Sequence, residues 1–115
     1  MSIDSEWETL FLNEIQKANQ ARNSGNEGKA RVCARRATGI IIKEYLHRNQ
    51  LPDPGTSMYE RLVFFNSLPF IDETIKETIA HFIIRVTPNH KLPIEVDLIN
   101  DAIYLKENLL NSFSN

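Results

Sequence analysis

Apolar residues recur at steps of three and four along most of the chain, a spacing that places them on one face of an α-helix. The first such run predicts a helix beginning near Ser5, because Ser5 and Glu8 have the spacing of a capping box. The apolar face of this helix is predicted to hold Trp7, Leu10, Phe11, Ile15, Ala18 and Ala21. Two glycines and two asparagines in NSGNEG, residues 23–28, predict a tight reversal after it.

The second predicted helix is the longest, with the sequence GKARVCARRATGIIIKEYLHRNQ, residues 28–50. Its predicted inner face starts with small residues and continues with larger ones: Ala30, Cys33, Ala34, Ala37, Ile40, Ile41 and Tyr45. Small residues allow a neighbouring helix to approach closely. Gly39 lowers helix propensity by about 1 kcal/mol relative to alanine. It marks either the close approach of another helix or a ligand, or a tolerated defect.

Two prolines and a glycine in LPDPGTS, residues 51–57, end the second helix. Ser57 and Glu60 have the spacing of a second capping box, which predicts that a short helix starts there. The apolar residues of this short helix are Met58, Leu62, Val63 and Phe65. The segment SLP, residues 67–69, interrupts it.

Two further helices complete the pattern. The first, residues 72–86, ends before Pro88 and has an apolar stripe formed by Ile71, Ile75, Ile79, Phe82, Ile83 and Val86. The last is predicted to start near Pro93, a favoured first-turn residue, with Glu95 and Asp97 close behind. Its predicted buried face consists of Val96, Ile99, Ala102, Ile103, Leu109, Leu110 and Phe113.

No segment alternates with a period of two, so the predicted fold is all-α: a four-helix up-and-down bundle with a short extra helix between the second and third long helices. Residues 1–115 suit one domain. The N-terminus lacks a secretory signal, and no apolar run approaches the roughly 18 residues of a membrane span. These features predict a soluble, cytoplasmic protein without membrane association.

The chain shows no nucleotide-binding glycine loop and no metal-ligand spacing, so no cofactor or metal is expected. Its single cysteine, Cys33, excludes an internal disulfide framework. The position of Cys33 on an apolar helix face favours a packing role over a nucleophilic one.

Positive charge is concentrated in the second helix. Residues 29–48 contain six cations and one anion, a net charge of +5, which leaves −7 for the rest of a chain whose net charge is −2. The candidate anion-binding residues are Lys29, Arg31, Arg35, Arg36 and Lys43. They either bind the phosphates of a nucleotide or RNA, or form a solvated face that pairs with acidic residues of other helices or of another subunit.

The alanine spacing in ARVCARRATGIIIKEYL, residues 30–46, resembles the second helix of HEPN domains, helical bundles named for nucleotide binding in higher eukaryotes and prokaryotes. The later order is also similar: a proline-containing loop, the short helix SMYERLVFF, a helix ending in RVTPN, and a final helix LINDAIYLKENLL. The resemblance implies a homodimer with a nucleotide, RNA or protein partner, such as a nucleotidyltransferase or an antitoxin. Some HEPN proteins are ribonucleases with an R-x4–6-H motif, whereas others have no catalytic role.

Arg85 and His90 in RVTPNH satisfy R-x4-H and are the candidate catalytic pair. Histidine can act as a general base on a 2′-hydroxyl, and arginine can stabilise charge on the phosphate. However, Val86 and Pro88 depart from the motif, and proline does not fit a helix interior. The alternative is that Arg85 interacts with the negative end of a helix dipole and that His90 is a loop residue.

His81 lies four residues after Glu77 and four before Arg85, so the three residues share a helix face. They form either a solvated row of polar side chains or a site in which His81 acts together with Arg85.

The preferred interpretation of the whole chain is a non-catalytic or accessory domain for protein association, with possible nucleotide or nucleic-acid binding through the second helix. The alternative is a metal-independent, toxin-like endoribonuclease that uses Arg85 and His90. A third hypothesis is a structural helper of a larger complex that exposes Tyr45, Phe64 or Phe65.

Overall fold

The computed structural model describes residues 6–55, 57–83 and 96–110 of the 115-residue chain. These ranges contain no β-strand and five α-helices: α1 (Glu6–Asn23), α2 (Glu27–Arg48), α3 (Met58–Asn66), α4 (Glu73–Ile83) and α5 (Leu98–Leu109). The all-α prediction is therefore confirmed. The nine-residue α3 lies between α2 and α4, where a short helix is predicted.

A glycine-based turn ends α1 and leads directly into α2. Gly25 has a φ of 83°, which glycine adopts without the steric cost of a Cβ atom. The amide of Asn26 donates to the carbonyl of Ala21 at 2.8 Å, and the amide of Gly25 donates to that of Arg22 at 3.0 Å. This is the pattern of a Schellman motif. Asn26 then caps α2 by accepting from the amide of Lys29, so the predicted reversal is confirmed.

Helices α1 and α2 run antiparallel and form the most extensive helix packing of the described structure. Trp7 and Leu10 near the start of α1 line the same groove as Ile40 and His47 near the end of α2, while the turn joins the other two ends. The buried faces of the two helices are rich in alanine: Ala18, Ala21, Ala30, Ala34 and Ala37. Such small side chains permit the helix axes to come close together.

Helix α2 is the centre of the core, since it packs against α1, α3 and α5. The predicted inner face is confirmed for its small residues and for Ile41, but Ile40 and Tyr45 are only half-buried. Tyr45 packs edge-on against Phe65 of α3, with ring centroids 5.4 Å apart. Ile42 and Leu46 are fully buried because α2 is covered on more than one side.

Helix α3 starts at the predicted cap, where the Ser57 hydroxyl accepts from the amide of Glu60 at 3.1 Å. Leu62 and Phe65 are buried, whereas Val63 is exposed. A Cβ atom added at Gly39 would lie 3.0 Å from Cγ of Met58. Gly39 therefore marks the close approach of the α3 side chain Met58 to α2.

The apolar stripe predicted for α4 is buried at Ile71, Ile75, Ile79 and Phe82. Helix α5 begins at Leu98, later than predicted: Asp97 has an extended backbone (φ −109°, ψ 99°) and lies just outside the helix. The reason is local, because the Asp97 carboxylate accepts from the amides of Ile99 and Asn100 and so caps the helix. The predicted positions Val86, Pro88, Pro93, Glu95 and Phe113, like Ser5 at the start of α1, lie outside the described residues.

Candidate functional site

The candidate catalytic residues Arg85 and His90 both lie outside the described residues. The structure does place His81, in the last turn of α4. Its Nδ1 atom lies 2.9 Å from Oδ2 of Asp101 on α5, and both side chains are partly exposed. The contact between His81 and Asp101 thus joins α4 to α5. Glu77, on the same helix as His81, is exposed.

The basic residues of α2, namely Lys29, Arg31, Arg35, Arg36 and Lys43, form no ion pair with any residue that the structure describes. Other cations differ in this respect: Arg22, Arg48 and Arg61 each contact a carboxylate at 3.1 Å or less. Pairing of the basic residues with acidic residues of other helices is therefore not observed in the described part of the chain. Their other predicted partners, an external anion or another subunit, stay open.

The basic residues form two rows on α2. Lys29, Arg36 and Lys43 recur every seven residues, so they drift by only about 20° per step along roughly 21 Å of helix. Arg31 and Arg35 lie one turn apart in a second row, about 120° around the axis from the first. Val32, with 44% of its surface exposed, lies between the rows. The surface around residues 29–36 thus combines four cations with one apolar side chain.

Arg35 is only partly exposed to solvent. Burial lowers the pKa of its guanidinium below the ordinary value, and the neighbouring charge of Arg31 lowers it further. Arginine nevertheless remains protonated in proteins. A half-buried cation that has a like charge beside it is unfavourable, and an anion in contact with both Arg31 and Arg35 would offset that cost.

Lys43 has a different environment from the other basic residues. Its charge contributes to lowering the pKa of Asp53, although the hydrogen bond from Arg61 to Asp53 is the larger cause. It also lines a groove together with Glu6 and Glu44. Arg31 and Arg35 therefore lie next to each other on α2, whereas Lys43 lies nearer the other end of the helix, in the groove with Glu6 and Glu44.

That groove has a volume of about 550 Å³ and lies between the first two turns of α1 and the last three turns of α2. It is lined by Glu6, Trp7, Leu10, Ile40, Lys43, Glu44 and His47. The sequence pattern places Trp7 and Leu10 on the buried face of α1, but Trp7 is only partly buried and Leu10 is 49% exposed. Nothing in the spacing of these residues indicates the groove, because it exists only where the two helices meet.

The three aromatic residues expected on the surface, Tyr45, Phe64 and Phe65, are not fully exposed. Phe65 is fully buried in the core, and Tyr45 and Phe64 are partly buried. Phe65 faces inward because it packs against Tyr45 where α3 meets α2. The exposed large apolar residues that the structure describes are Leu10, Leu12, Val32, Tyr59, Val63 and Phe70.

No protein-family model, curated protein or solved structure matches the chain. Over the described ranges, no three histidine, cysteine, aspartate or glutamate side chains cluster as a metal site. Within the same ranges, no helix has both the length and the apolar character needed to cross a membrane.

Proposed function

We propose that the protein is a small, cytoplasmic, accessory HEPN-like domain that associates with a partner through the basic residues of α2. The partner binds as a polyanion, with its phosphates in contact with Arg31 and Arg35. The observation that carries this proposal is the half-buried Arg35, which lies beside Arg31 and has no carboxylate partner in the described residues.

Three features support an accessory role. Residues 29–36 contain no histidine and no carboxylate, and the nearby Glu27 is held by hydrogen bonds from Arg22. The basic surface at these residues also lacks the interleaved aromatic residues on which bases would stack, which favours backbone phosphates over base recognition. The alanines that carry the resemblance, Ala30, Ala34 and Ala37, are buried.

The finer architecture belongs to the same proposal. We place the long helices in an up-and-down bundle and the protein in a homodimer. The antiparallel pair α1–α2 and the packing of α2 on α5 are compatible with such a bundle. Sedimentation at micromolar concentration tests the dimer, and a monomer at that concentration would contradict it.

Binding to a labelled 20-nucleotide single-stranded RNA, followed by fluorescence anisotropy, tests the partner. The double variant Arg31→Gln/Arg35→Gln is expected to weaken binding at least tenfold at about 50 mM salt, because it removes two phosphate contacts. The matched control is Lys17→Gln/Lys76→Gln, which removes two positive charges from α1 and α4. Equal losses in both variants, or no binding by the wild type, would contradict the proposal.

The same RNA samples test the alternative endoribonuclease. With EDTA present, the proposal predicts intact RNA on a denaturing gel. Cleavage by the wild type that disappears in Arg85→Ala/His90→Ala would replace the accessory role with a catalytic one.

A further inference from the structure

The groove between α1 and α2 has walls of contrasting character. Trp7 and Leu10 on α1 and Ile40 on α2 supply an apolar surface. Lys43 and His47, both exposed, lie one turn apart on the α2 side. A ligand that fills the groove therefore meets hydrocarbon along its length and positive or hydrogen-bonding groups at one wall.

The two acidic residues that line the groove, Glu6 and Glu44, do not neutralise the wall formed by Lys43 and His47. Nε of Arg48 donates to Oε2 of Glu44 at 3.0 Å, so the charge of Glu44 is already matched. Glu6 lies on the opposite wall, at the start of α1. An anionic head group is therefore directed away from Glu6 and towards Lys43 and His47.

The apolar wall is held in place before any ligand arrives. The Arg48 guanidinium lies 5.5 Å from the centre of the Trp7 ring, and Nζ of Lys106 lies 6.0 Å from it. Lys106 is itself paired with Glu8 at 3.4 Å. Cation–π contacts of this kind fix the ring orientation, so ligand binding does not have to order it.

We propose that this groove binds a small amphipathic anion: an apolar body packed on Trp7, Leu10 and Ile40, with a carboxylate or phosphate head at Lys43 and His47. Its volume of about 550 Å³ is within the range of sites for small organic molecules. The groove and the basic surface at residues 29–36 are separate sites. An experiment that contradicts the proposal for one of them therefore leaves the proposal for the other unaffected.

Trp7 is the only tryptophan, so its fluorescence reports the groove directly. The probes are octanoate, octyl phosphate and the neutral octanamide, each titrated below its aggregation range. We expect a saturable change in Trp7 emission with one or both anions and at least fivefold weaker binding of octanamide. The stronger anion identifies the head group as a carboxylate or a phosphate.

Lys43→Gln/His47→Gln is expected to weaken anion binding at least fivefold and to leave octanamide unchanged. The matched control, Lys17→Gln/Lys76→Gln, removes two cations that lie outside both the groove and the basic residues of α2 and should leave the affinity intact. Chemical-shift changes at His47 and Ile40 on titration provide a second, local readout. The proposal is overturned by an absence of saturable change with both anions, by equal binding of octanamide, or by equal losses in the two double variants.

Discussion

Nη1 of Arg22 donates to both carboxylate oxygens of Asp97, at 3.1 Å each, across 75 positions of the chain. The same guanidinium donates from Nε and Nη2 to the two oxygens of Glu27, at 3.1 and 2.8 Å. These hydrogen bonds, that to Glu27 first, hold the pKa of Arg22 above its ordinary value against the opposing effect of burial. One side chain thus connects the end of α1 to the starts of α2 and α5.

Replacement of Arg22 by methionine is expected to lower the free energy of unfolding by about 1–2 kcal/mol. The apolar stem is kept, but two carboxylates lose their shared partner. The expected loss is modest because Arg22 and Asp97 are 33% and 40% exposed, so solvent screens their interaction. Urea denaturation measures the change. The control is Lys17→Met, because Lys17 is 56% exposed and its pair with Glu14 is long, at 3.9 Å. An equal effect in both variants would contradict the prediction.

Asp97 has two functions that substitutions can separate. As the cap of α5 it accepts from the amides of Ile99 and Asn100, and as a charge it pairs with Arg22. Asp97→Asn keeps a good capping residue and loses the charge, so a loss of about 0.5 kcal/mol is expected. Asp97→Ala loses both and should cost about 1–2 kcal/mol. Equal losses in thermal denaturation would show that the cap contributes nothing.

The pair between Arg61 and Asp53 predicts a specific pH dependence. Arg61 donates to both oxygens of Asp53, at 2.9 and 3.1 Å, and holds the pKa of that carboxyl below its ordinary value. A lowered folded-state pKa contributes stability that is fully present above the unfolded pKa, about 4, and is lost as the pH falls through the folded pKa. The stability difference between wild type and Arg61→Gln should therefore shrink as the pH is lowered from about 6 to about 3.

Thermal melts across that pH range measure the difference. Lys76→Gln is the control, because Lys76 has no ion pair among the described residues and its effect should not follow the same curve. A constant difference for Arg61→Gln at all pH values would show that the pair does not contribute to folding.

Gly39 and Met58 are expected to be energetically coupled. Alanine gains about 1 kcal/mol of helix propensity over glycine, but its Cβ atom at position 39 would lie 3.0 Å from Cγ of Met58. Gly39→Ala should therefore stabilise the Met58→Ala variant more than it stabilises the wild type. Gly28→Ala is the control, since its nearest contact is an ordinary 3.8 Å. Equal gains from Gly39→Ala in both backgrounds would rule out the coupling.

Local signals in the sequence were sufficient for most helix boundaries. The reversal at Gly25 and the cap at Ser57 depend on residues within a few positions of each other, so their chemistry can be recognised without the fold. The start of α5 shows the limit of such signals. Pro93 and Asp97 both favour a helix start, and the position of the described helix is settled by the amides that Asp97 caps.

Relationships between distant segments could not be predicted in this way. Helical periodicity places Arg31 and Arg35 one turn apart, but whether a carboxylate meets them depends on where the other helices pack. The same applies to Arg22 with Asp97, to His81 with Asp101, and to the groove beside Trp7. The sequence thus indicates which basic residues are neighbours on α2 but not which groups of other helices surround them.

The turn at Gly25 also bears on how the chain folds. It connects two long helices through few residues, so their mutual packing forms with little loss of chain entropy, whereas α5 must be brought from far along the sequence. The α1–α2 hairpin is therefore expected to form in the folding transition state, before α5 docks on α2. Gly25→Ala strains a backbone with a φ of 83° and should slow refolding more than it speeds unfolding in stopped-flow measurements.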